Sequence, residues 1–338
     1  MTNAVSSITR AATRKFSEPL NILTFPTHER YETSLAKTGH NFYAYRADGI
    51  KDWNSTHAPV PDNYYLLNKD LGENQIPLDL DFDLVLSQNK FGQFQIAYPL
   101  SQSLHLPLVS LEHTLPVPYW SDDVKEQTRH MRGDANVFIS NYSIEDWKWD
   151  IKNDTTVITH GVDSDLFQFN DSTDRENQVL SVVNDWINRD WCCGFSIWQN
   201  IINGLPFQVV GDTPGLSEVA KSTEDLVKVY QSNRIFLNTS TISPVPTALL
   251  EAMACGCAVV TTATCMIPEI IENGVNGFIS NDETELKQYL VDLLNDEDLA
   301  KNLGREARKT IVENFSQEKF VLKWDSLLHR AAKFCFRG

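Results

Sequence analysis

The chain reads as an α/β protein of two doubly wound, Rossmann-like parallel-sheet domains, and three observations lead there. Short runs rich in β-branched residues alternate with amphipathic helical stretches. The alternation stops at one polar, acid-rich stretch and then restarts. Beyond residue 282 only helical periodicity remains. At 338 residues the chain has room for two cores of ordinary domain size.

Taken in order, NILTF (21–25) is a short apolar strand, ERYETSLAKTGH (29–40) a helix closed by Gly39, and NFYAY (41–45) a second strand. DLVLSQ (83–88), PLVSLE (107–112), ANVFIS (135–140) and TTVITHG (155–161) follow, with helices predicted over 90–104 and 121–132. VDSDLFQFNDSTDRENQ (162–178) then carries no usable period and is read as interdomain linker. The pattern resumes with VLSVVN, helix 195–203, FQVVGD, helix 223–232, RIFLNTS, helix 247–255, CAVVTT, helix 268–272 and GFIS. Three more helices follow, the last opened by Ser316 as a cap and presenting Trp324, Leu327 and Leu328 on one face. The expected organisation is a flexible tail over 1–18, a first domain over 19–165, a linker over 166–177, a second domain over 178–315, and a C-terminal helix over 316–338 that packs back on the first domain.

Composition removes several classes. A net charge of -16 argues against a general nucleic-acid or anionic-membrane binder, whose affinity is built from clustered Lys and Arg. No apolar run reaches the roughly 18 residues of a membrane span, so a soluble protein is expected. The six cysteines, at 192, 193, 255, 257, 265 and 335, lack paired zinc spacing, and the chain opens without a secretory signal; reduced core thiols in a cytoplasmic protein are expected. The opening 17 residues, cationic and free of acid, also fit an organelle transit peptide.

One stretch is dense in information: SPVPTALLEAMACGCAVVTTATCMIPEIIENGVNGFI, residues 243–279. Pro246 suits a first helical turn, Gly256 suits the residue just past a helix end, and Leu249, Leu250 and Met253 share a sheet-facing side. A helix that starts at the carboxyl edge of a parallel sheet offers free N–H groups and a positive dipole end to an anion such as phosphate. Glu251, one turn further in, is badly placed for phosphate and well placed to accept two hydroxyl hydrogen bonds from a ribose; helix stabilisation in the first turns is the alternative.

This segment resembles the donor-binding segment of retaining GT-B glycosyltransferases of family four, the glycosyl transferases group 1 type, through its Leu-Leu-Glu-Ala-Met-Ala-Cys-Gly core and following Pro-Glu-Ile-Ile. The resemblance implies a GT-B fold, two Rossmann-like domains facing a cleft, and transfer of a hexose or pentose from a UDP- or GDP-sugar with retention and without a metal or other cofactor. It makes Pro246, Thr247 and Ala248 the phosphate-binding helix start and Glu251 the ribose acceptor. The family's first glutamate falls at Ser243, which brings one hydrogen bond and no charge to the donor sugar.

In VLSVVNDWINRDWCCGFSIW (179–198) the family carries an Arg and a Lys on the diphosphate. Arg189 resembles the Arg, and the Lys position falls at Cys192 or Cys193. A guanidinium fork can bridge two phosphate oxygens; pairing of Arg189 with Asp185 or Asp190 is the alternative. Asn184, at the strand's end, is a further donor-site candidate.

In the first domain TTVITHGVDSDLF resembles the family's strand-end turn before the linker, and VFISNYSIEDW the strand and helix that precede it. His113, just past a strand, resembles the family's histidine near the reacting sugar, a backbone-satisfied histidine being the alternative. The family's Gly-Gly loop is replaced by PTHER, so His28, Glu29 and Arg30 are acceptor or donor-loop candidates, or else solvated first-turn residues. Domain closure is expected to bring His113 to the anomeric carbon. A saccharide or small-molecule acceptor is expected, served by loops over 46–77 rich in Trp, Tyr and Asn. DLDFD (79–83) begins a strand rather than ending one, so no metal site is expected. A non-catalytic nucleotide-sugar-binding homologue, a nucleotide-sugar epimerase and glycosylation of a modified nucleic-acid base are the other classes.

Overall fold

The computed structural model describes residues 4–15, 17–170 and 174–333. The chain divides into two compact units, 1–159 with 320–338, and 160–319.

The first unit opens with helix α1 (Ala4–Thr13), then β1 (Asn21–Thr24), α2 (Glu29–Ala36), β2 (Asn41–Ala44), β3 (Tyr64–Leu66), β4 (Leu84–Ser87), α3 (Phe94–Leu104), β5 (Leu108–Glu112), α4 (Asp122–Arg129), β6 (Ala135–Phe138), α5 (Asn141–Asp146) and β7 (Thr155–Val157). Its sheet has seven parallel strands in the order β3-β2-β1-β4-β5-β6-β7. Strands covered on both faces read as continuous apolar runs, and Leu84, Val85 and Leu86 of β4 are all fully buried. Truncating such a residue to Ala costs about 2–5 kcal/mol. Ser121 and Ser140 cap α4 and α5, accepting from the amides of Val124 (3.3 Å) and Ser143 (3.0 Å).

The second unit contains β8 (Glu176–Val182), α6 (Asp190–Cys193), α7 (Phe195–Ile202), β9 (Phe207–Val210), α8 (Thr223–Ser232), β10 (Asn233–Asn238), α9 (Thr247–Ala254), β11 (Ala258–Thr261), α10 (Ile267–Ile270), β12 (Phe278–Ile279), α11 (Glu283–Asn295) and α12 (Glu297–Asn314). Its five parallel strands run β12-β11-β10-β8-β9. Leu286, Leu290 and Leu293 of α11, with Ala300 and Leu303 of α12, join Val179, Ile235 and Val260 in one apolar cluster. Helix α13 (Gln317–Ala331) follows. Ser316 accepts from the Lys319 amide at 3.4 Å, and Trp324, Leu327 and Leu328 are buried. Within the first unit the Trp324 indole N–H donates to the Tyr31 hydroxyl at 2.9 Å.

Three expectations need correction. The segment 1–18 contains α1, which is fastened to the first unit: Arg10 Nε donates to Asp83 Oδ1 at 2.7 Å, Arg14 also pairs with Asp83, and the Asn21 amide donates to Asp83 Oδ2. Asp83 of DLDFD is thereby spent as an anchor ahead of β4. The stretch 166–177 is not a free linker either. Arg308 of α12 donates to the carbonyls of Ser164, Phe167 and Ala254, and Arg175 donates to those of Asn233 and Cys255. Guanidinium forks collect backbone carbonyls that a polar, aperiodic sequence leaves unpaired, so the division of the chain falls at 159/160 and 319/320. Residues 171–173 of that stretch, and Cys335 in the expected C-terminal helix, lie outside the described residues. Thirdly, β3 and a short 3-10 segment over 69–75 occupy what reads in the sequence as loop.

Candidate functional site

In each sheet, successive crossovers leave the first strand in opposite directions. Ligands of open α/β sheets bind at the carboxyl ends of the strands flanking that reversal. In the second unit it lies between β8 and β10, and in the first between β1 and β4.

The loop after β8 carries Asn184 and Arg189. Asn184 Oδ1 accepts the Asp212 amide at 2.9 Å, tying this loop to the one after β9. Arg189 precedes α6 and is exposed, and among the described residues its side chain forms no ion pair. The two acids expected as alternative partners are otherwise engaged: Asp185 accepts from Asn188 Nδ2 at 2.6 Å, and Asp190 from the amide and hydroxyl of Ser196.

The loop after β10 packs directly on this turn. The amides of Thr241 and Ile242 donate to the Cys192 carbonyl at 2.9 and 3.1 Å, and Thr239 Oγ1 donates to the Gly194 carbonyl. Gly194 has φ +64°, and a Cβ there would stand 2.0 Å from the Thr239 carbonyl oxygen. Glycine is therefore required for the two loops to meet. Asn184 and Arg189 belong to the first of these abutting loops, Ser243 and Pro246 to the second, and Thr247 and Ala248 to the helix that the second leads into.

Pro246 is the cap residue of α9, one position earlier than the first helical turn expected for it, and Thr247 opens the helix. Proline has no capping side chain. The Leu249 and Leu250 amides reach the Pro246 carbonyl, while those of Thr247 and Ala248 find no acceptor among the described residues. Ser222, Asp282 and Asp296 cap α8, α11 and α12, whereas α6, α7 and α10, like α9, have no side-chain cap. What sets the bare N-terminus of α9 apart is its place at the strand reversal, at the head of an eight-residue helix. Ser243 is half-buried, and its hydroxyl makes no hydrogen bond among the described residues.

Helix α9 ends as expected, with Gly256 at φ +75° beyond Cys255, and Leu249, Leu250 and Met253 fully buried. Glu251 is only 2 % exposed, and its Oε2 accepts the Tyr230 hydroxyl at 2.9 Å. Cys192 and Cys193 carry free thiols 3.7 Å apart. Their mutual hydrogen bond draws the Cys192 thiol down and pushes Cys193 up.

In the first unit the loop after β1 is organised by a residue that sequence reasoning missed. Glu32, 1 % exposed, accepts from the Thr27 amide (2.5 Å), the His28 amide (3.2 Å), the Tyr64 hydroxyl (2.6 Å) and Gln88 Nε2 (3.2 Å). Burial lifts its carboxyl to about 7 against the opposing pull of these donors. His28 is exposed and caps α2, Nδ1 accepting from the Tyr31 amide at 3.4 Å. Glu29 is not a solvated first-turn residue: it is 4 % exposed and holds the 51–57 loop through Lys51 Nζ (2.8 Å), the Asn54 amide (3.0 Å) and His57 Nδ1 (3.3 Å). Arg30 is half-buried. His113 lies just past β5, half-buried, stacked 6.4 Å from the His28 ring and edge-on to Tyr31 at 4.5 Å. In the 46–77 loops Trp53 packs on Tyr64 at 4.9 Å and donates to the Ala58 carbonyl, so these rings serve packing, whereas Tyr65 is exposed.

His40, Asp325 and His329 bring ligand-type atoms within 4.8 Å of one another. The Leu20 amide donates to His40 Nδ1, so the neutral ring carries its proton on Nε2, the atom facing Asp325 Oδ1 at 3.2 Å. A metal at Nε2 needs the opposite tautomer, and the cluster reads as a latch between α13 and its own unit.

Residues 218–310 match the Glycosyl transferases group 1 family. The matched stretch takes in α8 through α11 and most of α12, including the bare helix start. Over 83 residues the chain is 37% identical to N-acetyl-alpha-D-glucosaminyl L-malate synthase of Bacillus anthracis, covering 24% of this chain and 22% of that protein. The matches span 22% to 28% of the length of the first three curated relatives. Among solved structures, HepE of Anabaena in complex with UDP aligns at TM-score 0.70 and 16% identity, over 90% of this chain and 98% of that one. Sucrose-phosphate synthase from Thermosynechococcus elongatus aligns at TM-score 0.68 and 15% identity, over 92% and 98%. The fold is GT-B, two Rossmann-like parallel-sheet domains. No helix among the described residues is long and apolar enough to cross a membrane.

Proposed function

We propose that this chain transfers a hexose or pentose from a nucleoside-diphosphate sugar to a hydroxyl of a saccharide or small-molecule acceptor, with retention and without a metal. The observation that carries the reading is the bare N-terminus of α9 at the β8/β10 reversal, with the exposed guanidinium of Arg189 on the abutting loop. Two amides, a helix dipole and one exposed cation make a positive field for the departing diphosphate, the part a divalent ion plays elsewhere.

In this reading Thr247 and Ala248 hold the diphosphate through backbone N–H groups, Arg189 neutralises the charge that develops as the glycosidic oxygen leaves, and Glu251 accepts from the ribose. Asn184 sets the Arg189 loop through the Asp212 amide. Ser243 gives the donor sugar one hydrogen bond where an acid stands in the resembling family, which loosens sugar selection. His113 keeps, as part of the proposal, a place near the reacting sugar. Retention and metal independence rest on the sequence resemblance. UDP is the nucleotide to try first, because HepE is solved with UDP and UDP-glucose. A relative named for a glucosaminyl malate supports acceptors as small as a hydroxy acid.

The test is a panel of UDP- and GDP-sugars with and without a chelator, read by nucleoside-diphosphate release and by the anomeric proton coupling of the product. Chelator-insensitive release that rises with an acceptor is expected. Nucleotide binding without turnover on every donor would make the chain a binding homologue, and failure to bind either diphosphate would remove the reading altogether.

A further inference from the structure

Tyr230 plays no part in the resemblance that points to Glu251, yet the fold brings the two together. Leu226, Val227 and Tyr230 form the buried face of α8, and the Tyr230 ring lies 6.2 Å from that of Phe167 and 6.0 Å from that of Phe236. Its carbonyl accepts from the Cys257 thiol at 3.3 Å, so backbone and ring are both held. A phenol with no exposed surface needs a partner for its hydroxyl, and here it donates to Glu251 Oε2 at 2.9 Å. Glu251 stands in the second turn of α9, behind the helix start assigned to the diphosphate. Its side chain turns about three bonds, and a rigid donor on one oxygen fixes where the carboxylate points.

We propose that Tyr230 is a positioning residue for ribose recognition: by pinning Glu251 Oε2 it aims the carboxylate at a vicinal diol, and so makes the protein select ribonucleoside over 2′-deoxyribonucleoside diphosphates. The inference rests on the assignment of Glu251 to the ribose made above. A diol gives a carboxylate two charge-assisted hydrogen bonds, and the deoxy compound gives one. A carboxylate free to swing would gain from the second bond only after being ordered, so discrimination depends on the pinning and not on the acid alone.

Titration calorimetry with UDP and 2′-deoxy-UDP, repeated with GDP and 2′-deoxy-GDP, tests this. The wild type is expected to prefer the ribo form of its nucleotide by about tenfold, as for one hydrogen bond to a charged group. Tyr230→Phe, which keeps the ring packing, should bring that ratio to within about threefold while leaving affinity for the deoxy form nearly unchanged. Glu251→Gln should collapse the ratio, and adding Tyr230→Phe to it should change the ratio no further. Tyr230→His, moving the donor off the phenol's position, gives a second route to the same loss should the Phe variant melt early. If the Tyr230 variants weaken both nucleotides equally and keep the wild-type ratio, the tyrosine is only structural and the inference is overturned. If Glu251→Gln keeps the ratio, the ribose assignment of Glu251 fails first, and the role of Tyr230 with it.

Discussion

The two strand reversals in this chain are built from the same parts and treated in opposite ways. After β1 the buried Glu32 carboxylate gathers the Thr27 and His28 amides, and the His28 ring caps α2. After β10 no side chain among the described residues caps α9, and the Thr247 and Ala248 amides are left without acceptors. A loop whose amides are already committed to an internal carboxylate has little to offer an anion, whereas one with open amides and a nearby arginine is poised for it. In the proposed reading, the difference separates a helix start open to an anion from a loop whose amides are already spent inside the chain, although both stand at a strand reversal.

The largest expected effect falls on the open side. Arg189→Ala should lower kcat by about 10²–10³-fold, as removal of one donor to a developing oxyanion does, with a smaller effect on KM for the donor. Steady-state kinetics within twofold of wild type would show Arg189 to be ordinary surface and would blur the contrast between the reversals.

On the closed side the expected signature is pH-dependent stability. Because burial raises the Glu32 carboxyl from 4.5 to about 7, the folded state favours the protonated form. That contribution is fully present below about 4.5 and disappears as pH rises through about 7, a change of roughly 3 kcal/mol. Glu32→Gln carries a constant penalty for turning an amide toward donors, but it should lose this slope. Urea melts of both proteins at pH 4.5 and 8 check it; parallel stabilities would mean that folding leaves the Glu32 carboxyl unshifted.

The latch on α13 should run the other way. Burial, then the neighbouring His329, lower His40 from 6.5 to about 4, so its contribution is present above about 6.5 and is lost as pH falls through about 4, again by roughly 3 kcal/mol. In His40→Gln, whose carbonyl can still accept the Leu20 amide, acid melts should lose that component. An unchanged acid limb would place the titrating group elsewhere.

Much of this was legible in the sequence, because strand–helix alternation and a dense motif are local signals. Apart from β3 and the start of β8, which begins at Glu176 inside the stretch read as linker, the strands from NILTF to GFIS overlap the apolar runs that predict them, and the α9 segment announces its own start and end through Pro246 and Gly256. What escaped depends on partners distant in sequence. The helix over 4–13 is held by Asp83, about 70 residues away, so its own letters read as a tail. The stretch 162–170 looks like linker because its partner is Arg308. Glu29 reads as a solvated first-turn acid until Lys51 and His57 close over it, and Glu32 looks like one more helix-surface glutamate until Tyr64 and Gln88 arrive. Of the site, the donor-side letters are contiguous and could be read, but Tyr230 could not, since nothing near it in the chain signals Glu251.

The central claim is that the open N-terminus of α9 is an anion site, and filling it from within the chain tests that most directly. Pro246 has φ −67° and ψ 111°, an extended conformation that suits a capping side chain. Pro246→Asp should place a carboxylate over the Ala248 and Leu249 amides at the same helix start, raise stability by up to about 1 kcal/mol and weaken UDP or GDP binding by at least about tenfold. Calorimetric titration of the nucleoside diphosphate into this variant, beside a thermal melt, gives both quantities at once. Lost affinity in a protein at least as stable as wild type is the predicted result; wild-type affinity in that variant would contradict the account.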